Sequence, residues 1–144
     1  MKIYITEHLD KAIEHYKIIP ILYGKIDMIS IPNNSATEVV AIDALDSIPS
    51  NLLVEFVQSV RQKMRVGASL VMGGVELSAL ARDIINNKIS TQDFNELIFN
   101  KRGIYRSLDI VDLLKQAGLA IDKVTIRGYH YEIAASRPND SNKL

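Results

Sequence analysis

The sequence contains no cysteine among its 144 residues, which excludes disulfides, thiolate metal sites and a cysteine nucleophile. It also lacks an excess of charge of either sign, since 17 Lys and Arg balance 17 Asp and Glu. Polyanion-binding surfaces normally carry a basic excess or stripe, so no nucleic-acid partner is indicated. The one local basic group, Lys101, Arg102 and Arg106, has the composition of a solvated face. No apolar run approaches the roughly 20 residues that cross a bilayer as a helix, so no membrane association is expected. The start, Met-Lys-Ile-Tyr-Ile-Thr-Glu-His, has no apolar signal-peptide core. With the absence of cysteine, this leads to the expectation of a cytoplasmic protein, with a viral or mobile-element origin as a secondary expectation that no residue establishes. Glycine is scarce where the chain begins, and none precedes Gly24.

What is present is an ordinary globular composition, 47% apolar and 24% charged. A chain of this length typically buries roughly 70% of the surface it exposes when unfolded. One domain over residues 1–137, followed by a flexible tail over 138–144, is the expected organisation. Lys2–Thr6 alternates like a strand, and residues 7–17 carry Leu9, Ala12, Ile13 and Tyr16 at helical spacing, with Pro20 as the stop. Ile26–Ile31 is the next expected strand, closed by a turn at Pro32–Ser35. Glu38–Ala44 is a stronger one, and its apolar run Val39–Ile42 suits a strand buried on both faces of a parallel sheet.

Ser50 is positioned to cap a helix reaching Met64, with Gly67 as its stop. Ala68–Met72 is a further buried strand that runs into a turn at Gly73-Gly74. Residues 75–87 and a segment starting at Ser90 or Thr91 have helical periodicity. Ser107 is placed to cap a last helix through Ala117, with Gly118 just past its end. Lys123–Arg127 and Tyr129–Ser136 alternate and meet at Gly128, which predicts a hairpin. Strand and helix alternation closing in a hairpin predicts an open α/β sheet with one reversed edge.

Three segments carry a resemblance to a known family. Asp27–Pro49 has an acidic-led start, a Pro-containing turn and a strand ending near Leu45-Asp46. Val60–Met72 looks like a helix, a Lys/Arg-Pro-Gly-Gly type of turn and a strand, although the turn here is Met64-Arg65-Val66-Gly67-Ala68. Ser107–Gly118 followed by Lys123–Ser136 resembles a final helix ending in Ala-Gly and a closing strand pair. In this order and spacing, the segments resemble class I S-adenosylmethionine-dependent methyltransferases. The resemblance implies a three-layer Rossmann-like sheet, mostly parallel with an antiparallel C-terminal hairpin, and here truncated in its N-terminal half.

In that family the first strand ends in a glycine-rich loop that lets the backbone approach the cofactor. The corresponding stretch here is Ile5-Thr6-Glu7-His8-Leu9-Asp10, which holds no glycine and two acidic side chains. An acidic residue that ends the family's second strand grips the ribose, and no second strand is evident before Ile26. If S-adenosylmethionine binds, the candidate contacts are Thr6, Asp27 and Asp43. The candidate catalytic residues are Asp43 and Asp46, which follow the strand at Glu38–Ala44, although acidic residues before a helix also complement its dipole.

His8 and His15 are too far apart along a helix for one metal ion, and no metal site is expected. His130 lies between Tyr129 and Tyr131, which share the opposite strand face. The preferred expectation is a degenerate methyltransferase-fold protein, inactive alone and serving as a binding, structural or assembly module. The alternatives are an active divergent methyltransferase and a small α/β ligand-binding domain. Loss of helices from one sheet face leads to the expectation of a homo-oligomer or a protein partner covering that face.

Overall fold

The computed structural model describes residues 1–10 and 13–139. In chain order the elements are β1 (Lys2–Thr6), β2 (Lys17–Leu22), β3 (Lys25–Ile26), β4 (Ala36–Ala41) and α1 (Leu53–Lys63). There follow β5 (Met64–Val75), α2 (Leu77–Ile85), α3 (Thr91–Ile98), α4 (Ser107–Gln116), β6 (Ala120–Arg127) and β7 (His130–Ser136). The seven strands form one sheet in the order β3-β2-β1-β4-β5-β7-β6. β1, β2, β4 and β5 run parallel, while β7 is antiparallel to both β5 and β6. β3 is a two-residue return strand on β2. This is the expected mostly parallel α/β sheet, with its antiparallel C-terminal hairpin in place.

Period-two alternation divides each strand between two faces. One cross-strand row is Ile3, Val39, Leu70 and Ala135, in register across β1, β4, β5 and β7. All four are buried and cluster with Val60 of α1 and with Ile110 and Leu114 of α4. The adjacent row, Tyr4, Val40, Val71 and Ala134, points to the opposite face. There only Tyr4 is buried, and the other three are half-buried. Polar rows flank that strip: Lys2, Glu38, Ser69 and Ser136 on one side, Gly73, Glu132 and Thr125 on the other. The open face is therefore a band of apolar side chains between charged margins. β4 is not buried on both faces as its apolar run suggested.

Several local expectations are corrected. The helix expected over 7–17 does not form in its described parts: residues 7–10 and 13–16 are turns and coil, and Lys17 opens β2. Ala12, one of its expected apolar positions, lies outside the described residues, as does the part of the expected tail over 140–144. Leu9 and Ile13 are exposed, so the helical spacing there buries nothing. Instead Tyr16 reaches back across β1, its hydroxyl donating to Glu38 and its ring lying 5.6 Å from the Lys2 ammonium.

Pro20 sits inside β2, not at a helix stop, because β3 pairs only with Ile21 and Leu22 and needs no N–H from residue 20. The strand expected at Ile26–Ile31 shrinks to β3, since Asp27 turns the chain by accepting from the Ile29 N–H at 3.0 Å. Ser50 starts a 3-10 turn and α1 begins at Leu53. Gly67 stops no helix but lies within β5, which runs from Met64. Gly73-Gly74 is the end of β5 as well, not a turn. Gly118 does follow α4 in the left-handed region, at φ 89°.

Because α4 closes the core through Leu114 while Leu108 of the same helix is exposed, the two should separate in a denaturant titration. Leu114→Ala is expected to cost about 2–5 kcal/mol through the cavity it leaves. Leu108→Ala should stay within about 0.5 kcal/mol of the parent.

Candidate functional site

In an open α/β sheet, ligands bind beyond the C-terminal ends of the parallel strands. Here that region lies between the ends of β1 and β4, where Tyr4, Thr6, His8, Ile42 and Asp43 line a crevice of only about 20 Å³. That is room for about one water, against the several hundred Å³ typical of a small-molecule site. The crevice is closed by its own polar groups. The Thr6 hydroxyl accepts from the His8 N–H at 2.9 Å, which folds the chain sharply after β1. The Glu7 carboxylate then spans to the 3-10 turn Ala44–Ser47 after β4 and accepts from the Ser47 hydroxyl.

Asp43 stands at the mouth of this crevice with φ 63°, a left-handed conformation that Asp tolerates better than most residues. Its carboxylate is 3.3 Å from His130 Nδ1, and Glu132 lies 3.8 Å from the other ring nitrogen. The strand pairing that brings β7 beside β5 thus joins two residues far apart in sequence. Both partners are well exposed, so the pair adds little to stability.

Asp46 behaves differently. It is buried, and its Oδ1 accepts from the Val75 N–H at 2.8 Å. Its Oδ2 is 3.2 Å from the Lys101 ammonium. Its backbone carbonyl accepts from the N–H groups of Arg102 and Gly103. A Cβ on Gly74 would come within 2.6 Å of Oδ1, so that glycine is what lets the carboxylate approach β5. Burial raises the Asp46 carboxyl above its ordinary range, opposed by the Val75 N–H and by Lys101. A candidate for chemistry in the sequence is thus a tie between three segments.

Glu76, which the sequence did not single out, does similar work one residue past β5. It is buried, caps α2 through the Ser78 N–H, and accepts from both the N–H and the hydroxyl of Ser107 at 3.0 and 2.7 Å. Ser107 is consequently the first residue of α4 and not its cap, which is Arg106. Beneath these carboxylates lies Tyr131, fully buried, whose hydroxyl has no hydrogen-bond partner among the described residues. Burial, then Asp46 and Glu76, hold that phenol far above its ordinary range.

The remaining candidates are not brought together. Asp27 lies beyond β3, two strand spacings or about 10 Å from β1, and is occupied by its own turn. β2 runs parallel to β1, so its C-terminal end does point to the crevice region, yet it carries Leu22 and Tyr23 and no acid. Tyr129 leaves its expected place beside Tyr131 and donates to Asp83 at 2.6 Å. Of the basic trio, Lys101 pairs with Asp46 and Arg106 with Asp109. Among the described residues no group of three His, Asp or Glu is arranged to hold a metal ion.

Solved structures share this fold. A S-adenosylmethionine-dependent methyltransferase from Aquifex aeolicus superposes with TM-score 0.55 at 14% identity, over 86% of this chain and 56% of its own. The chain has the Rossmann-like methyltransferase fold. An O-methyltransferase family protein from Burkholderia thailandensis matches with TM-score 0.62 at 13% identity, covering 87% of this chain and 36% of that one. A chain of the complex between the Haloferax volcanii Trm112 methyltransferase activator and a methyltransferase matches with TM-score 0.62 at 7% identity, covering 90% and 65%. This protein therefore spans between about a third and two thirds of the length of these methyltransferase-fold chains. No family model and no curated protein matches the sequence.

Against the methyltransferase frame, the residues at the crevice do not fit S-adenosylmethionine. Thr6 and Glu7 occupy the turn where backbone amides would have to be free, the acidic ribose contact is missing from β2, and the volume is that of a water. Asp46 supplies the test of its assigned role. Its folded carboxyl binds a proton more tightly than the unfolded one, so its contribution to stability is greatest in acid. That contribution falls as pH rises from the ordinary carboxyl range through the raised value. Relative to Asp46→Asn, the parent should lose stability between about pH 4 and pH 7, read by urea unfolding at both. Asp46→Ala, which strands the Val75 N–H, should cost about 1–3 kcal/mol, more at pH 4 than at pH 7.

Proposed function

We propose that this protein is a methyltransferase-fold module that has lost cofactor binding and works through protein contact. The observation that carries the reading is the crevice between β1 and β4, about 20 Å³ in volume and bridged by Glu7 and Ser47. A nucleoside could enter only if that bridge and the Thr6 turn were both rebuilt. Asp43 and Asp46, the candidate catalytic residues, are respectively engaged by His130 and drawn into the interior.

The contact role is supported by the open sheet face. Its band of Tyr4, Val40, Val71 and Ala134 between charged margins has the make-up of a surface met by a protein, apolar at the centre and polar at the rim. That a methyltransferase-fold chain occurs in a complex with an activator protein is consistent with this use of the architecture. The second reading, an active divergent methyltransferase, is favoured by the complete seven-strand order and by the left-handed Asp43 at the end of β4.

Titration calorimetry with S-adenosylmethionine and with its demethylated product separates the two. The expected result is no saturable heat with either ligand. Binding tighter than about 100 μM, or roughly 5.5 kcal/mol, would restore the enzyme reading and place Thr6 and Asp43 at its cofactor.

A further inference from the structure

The flank of the sheet opposite the β6 edge carries a groove that nothing in the described chain fills. Two cavities of about 190 and 370 Å³ share Ile26 and Ser59 and so form one trough between β3 and α1. The trough exists because the connection over 27–35 makes turns and no helix, which leaves the outer side of α1 open. Phe56 and Met28 form part of its floor, and both are buried. Large apolar side chains stand beside it in water: Tyr23 is 86% and Ile29 90% exposed. Single exposed apolar residues are ordinary, but two flanking an apolar trough on the same edge make a patch.

The charges on the trough walls alternate. Lys25 and Glu55 line one end, Asp27 and Lys63 the other. On α1, Glu55 and Lys63 are each four residues from Ser59, or about 6 Å along the axis. If a second α1 lies antiparallel across Ser59, each Glu55 meets the other copy's Lys63, and on the β3 side each Lys25 meets the other copy's Asp27. Ser59 is small enough to let the two helices approach closely at the crossing. A self-complementary patch of this kind is what a two-fold interface requires.

We propose that the trough between β3 and α1 is the interface of a two-fold dimer of this chain. In it the α1 helices cross antiparallel at Ser59, and Tyr23 and Ile29 of each copy cover the other's apolar floor. This rests on the contact role proposed above but places it on a second surface, beside α1 and apart from the open sheet face, and names one partner for it. Calorimetry tests the loss of cofactor binding and sedimentation tests this surface, so either can fail alone.

Sedimentation velocity on the full chain at about 100 μM is expected to show a dimer. Glu55→Lys and Lys63→Glu, each on its own, should weaken it by at least about tenfold through like charges at the crossing. The double variant Glu55→Lys/Lys63→Glu should restore it, because every cross-helix pair is again opposite in sign. Ile29→Asp should weaken it irrespective of these charges. Of the three positions, Ile29 and Glu55 are exposed and Lys63 is half-buried with its ammonium donating to Asn33 Oδ1 at 2.9 Å, and circular dichroism checks that each variant folds. A monomeric parent overturns the proposal. So does a dimer indifferent to the single reversals, which would place the contact elsewhere. Failure of the double variant to recover overturns the antiparallel crossing.

Discussion

The carboxylate of Asp46 is the interaction on which the upper rim of the sheet depends. One oxygen takes the N–H at the end of β5, the other faces Lys101, and the residue's own carbonyl gathers the chain at Arg102 and Gly103. Three segments distant in sequence are thereby held at one point, and Gly74 is the concession that makes the approach possible. A buried carboxylate is costly unless its hydrogen bonds are met; here the Val75 N–H and Lys101 offset that cost in part, and burial still raises the carboxyl. The consequence is that this group ties together the rim at the strand ends, where open α/β sheets in general bind ligands. Glu76 extends the same arrangement by joining the start of α2 to the start of α4.

The second constraint is the compactness of the chain between β1 and β4. Residues 7–35 supply two strands and turns, with no helix among those described. The turn after β1 is tightened by the Thr6 hydroxyl and anchored by Glu7 to the segment after β4. Each bond is modest, yet together they close the turn after β1 onto the segment after β4. Economy in this region has a second effect at the opposite edge of the same connection, where the outer side of α1 stays open beside β3. A closed crevice and an open flank have one cause.

Much of the architecture could be read from local pattern. The hairpin at Gly128, the helix ending before Gly118, and the strands at Lys2–Thr6 and Ala68–Met72 all carry strong periodicity and suitable turn residues. β2 was hidden because Pro20 resembles a stop signal. Only the neighbour relation, with β3 too short to need that N–H, makes the proline harmless. The helix expected over 7–17 failed for the reverse reason. Its apolar residues have the right spacing, but no core lies within reach to bury Leu9 or Ile13, and tertiary packing supplies most helical stability in proteins. Of the candidate site, Thr6 and Asp43 do reach one crevice. Asp27 and Asp46 could not be told from them, since a carboxylate's residue type does not reveal whether it caps a turn, ties strands or meets a ligand.

The amino-acid sequence alone determined the class of sheet, the absence of a glycine-rich loop after β1, and the missing thiol chemistry. These follow from residue types and short-range spacing, which the unfolded chain already contains. Which face is covered, what Asp46 holds, how small the crevice is and that His130 meets Asp43 were decided only when β7 inserted beside β5 and the segment after β4 folded beneath it. Those outcomes arise from pairings between positions separated by tens of residues, where burial and close approach, and not local preference, set the free energy.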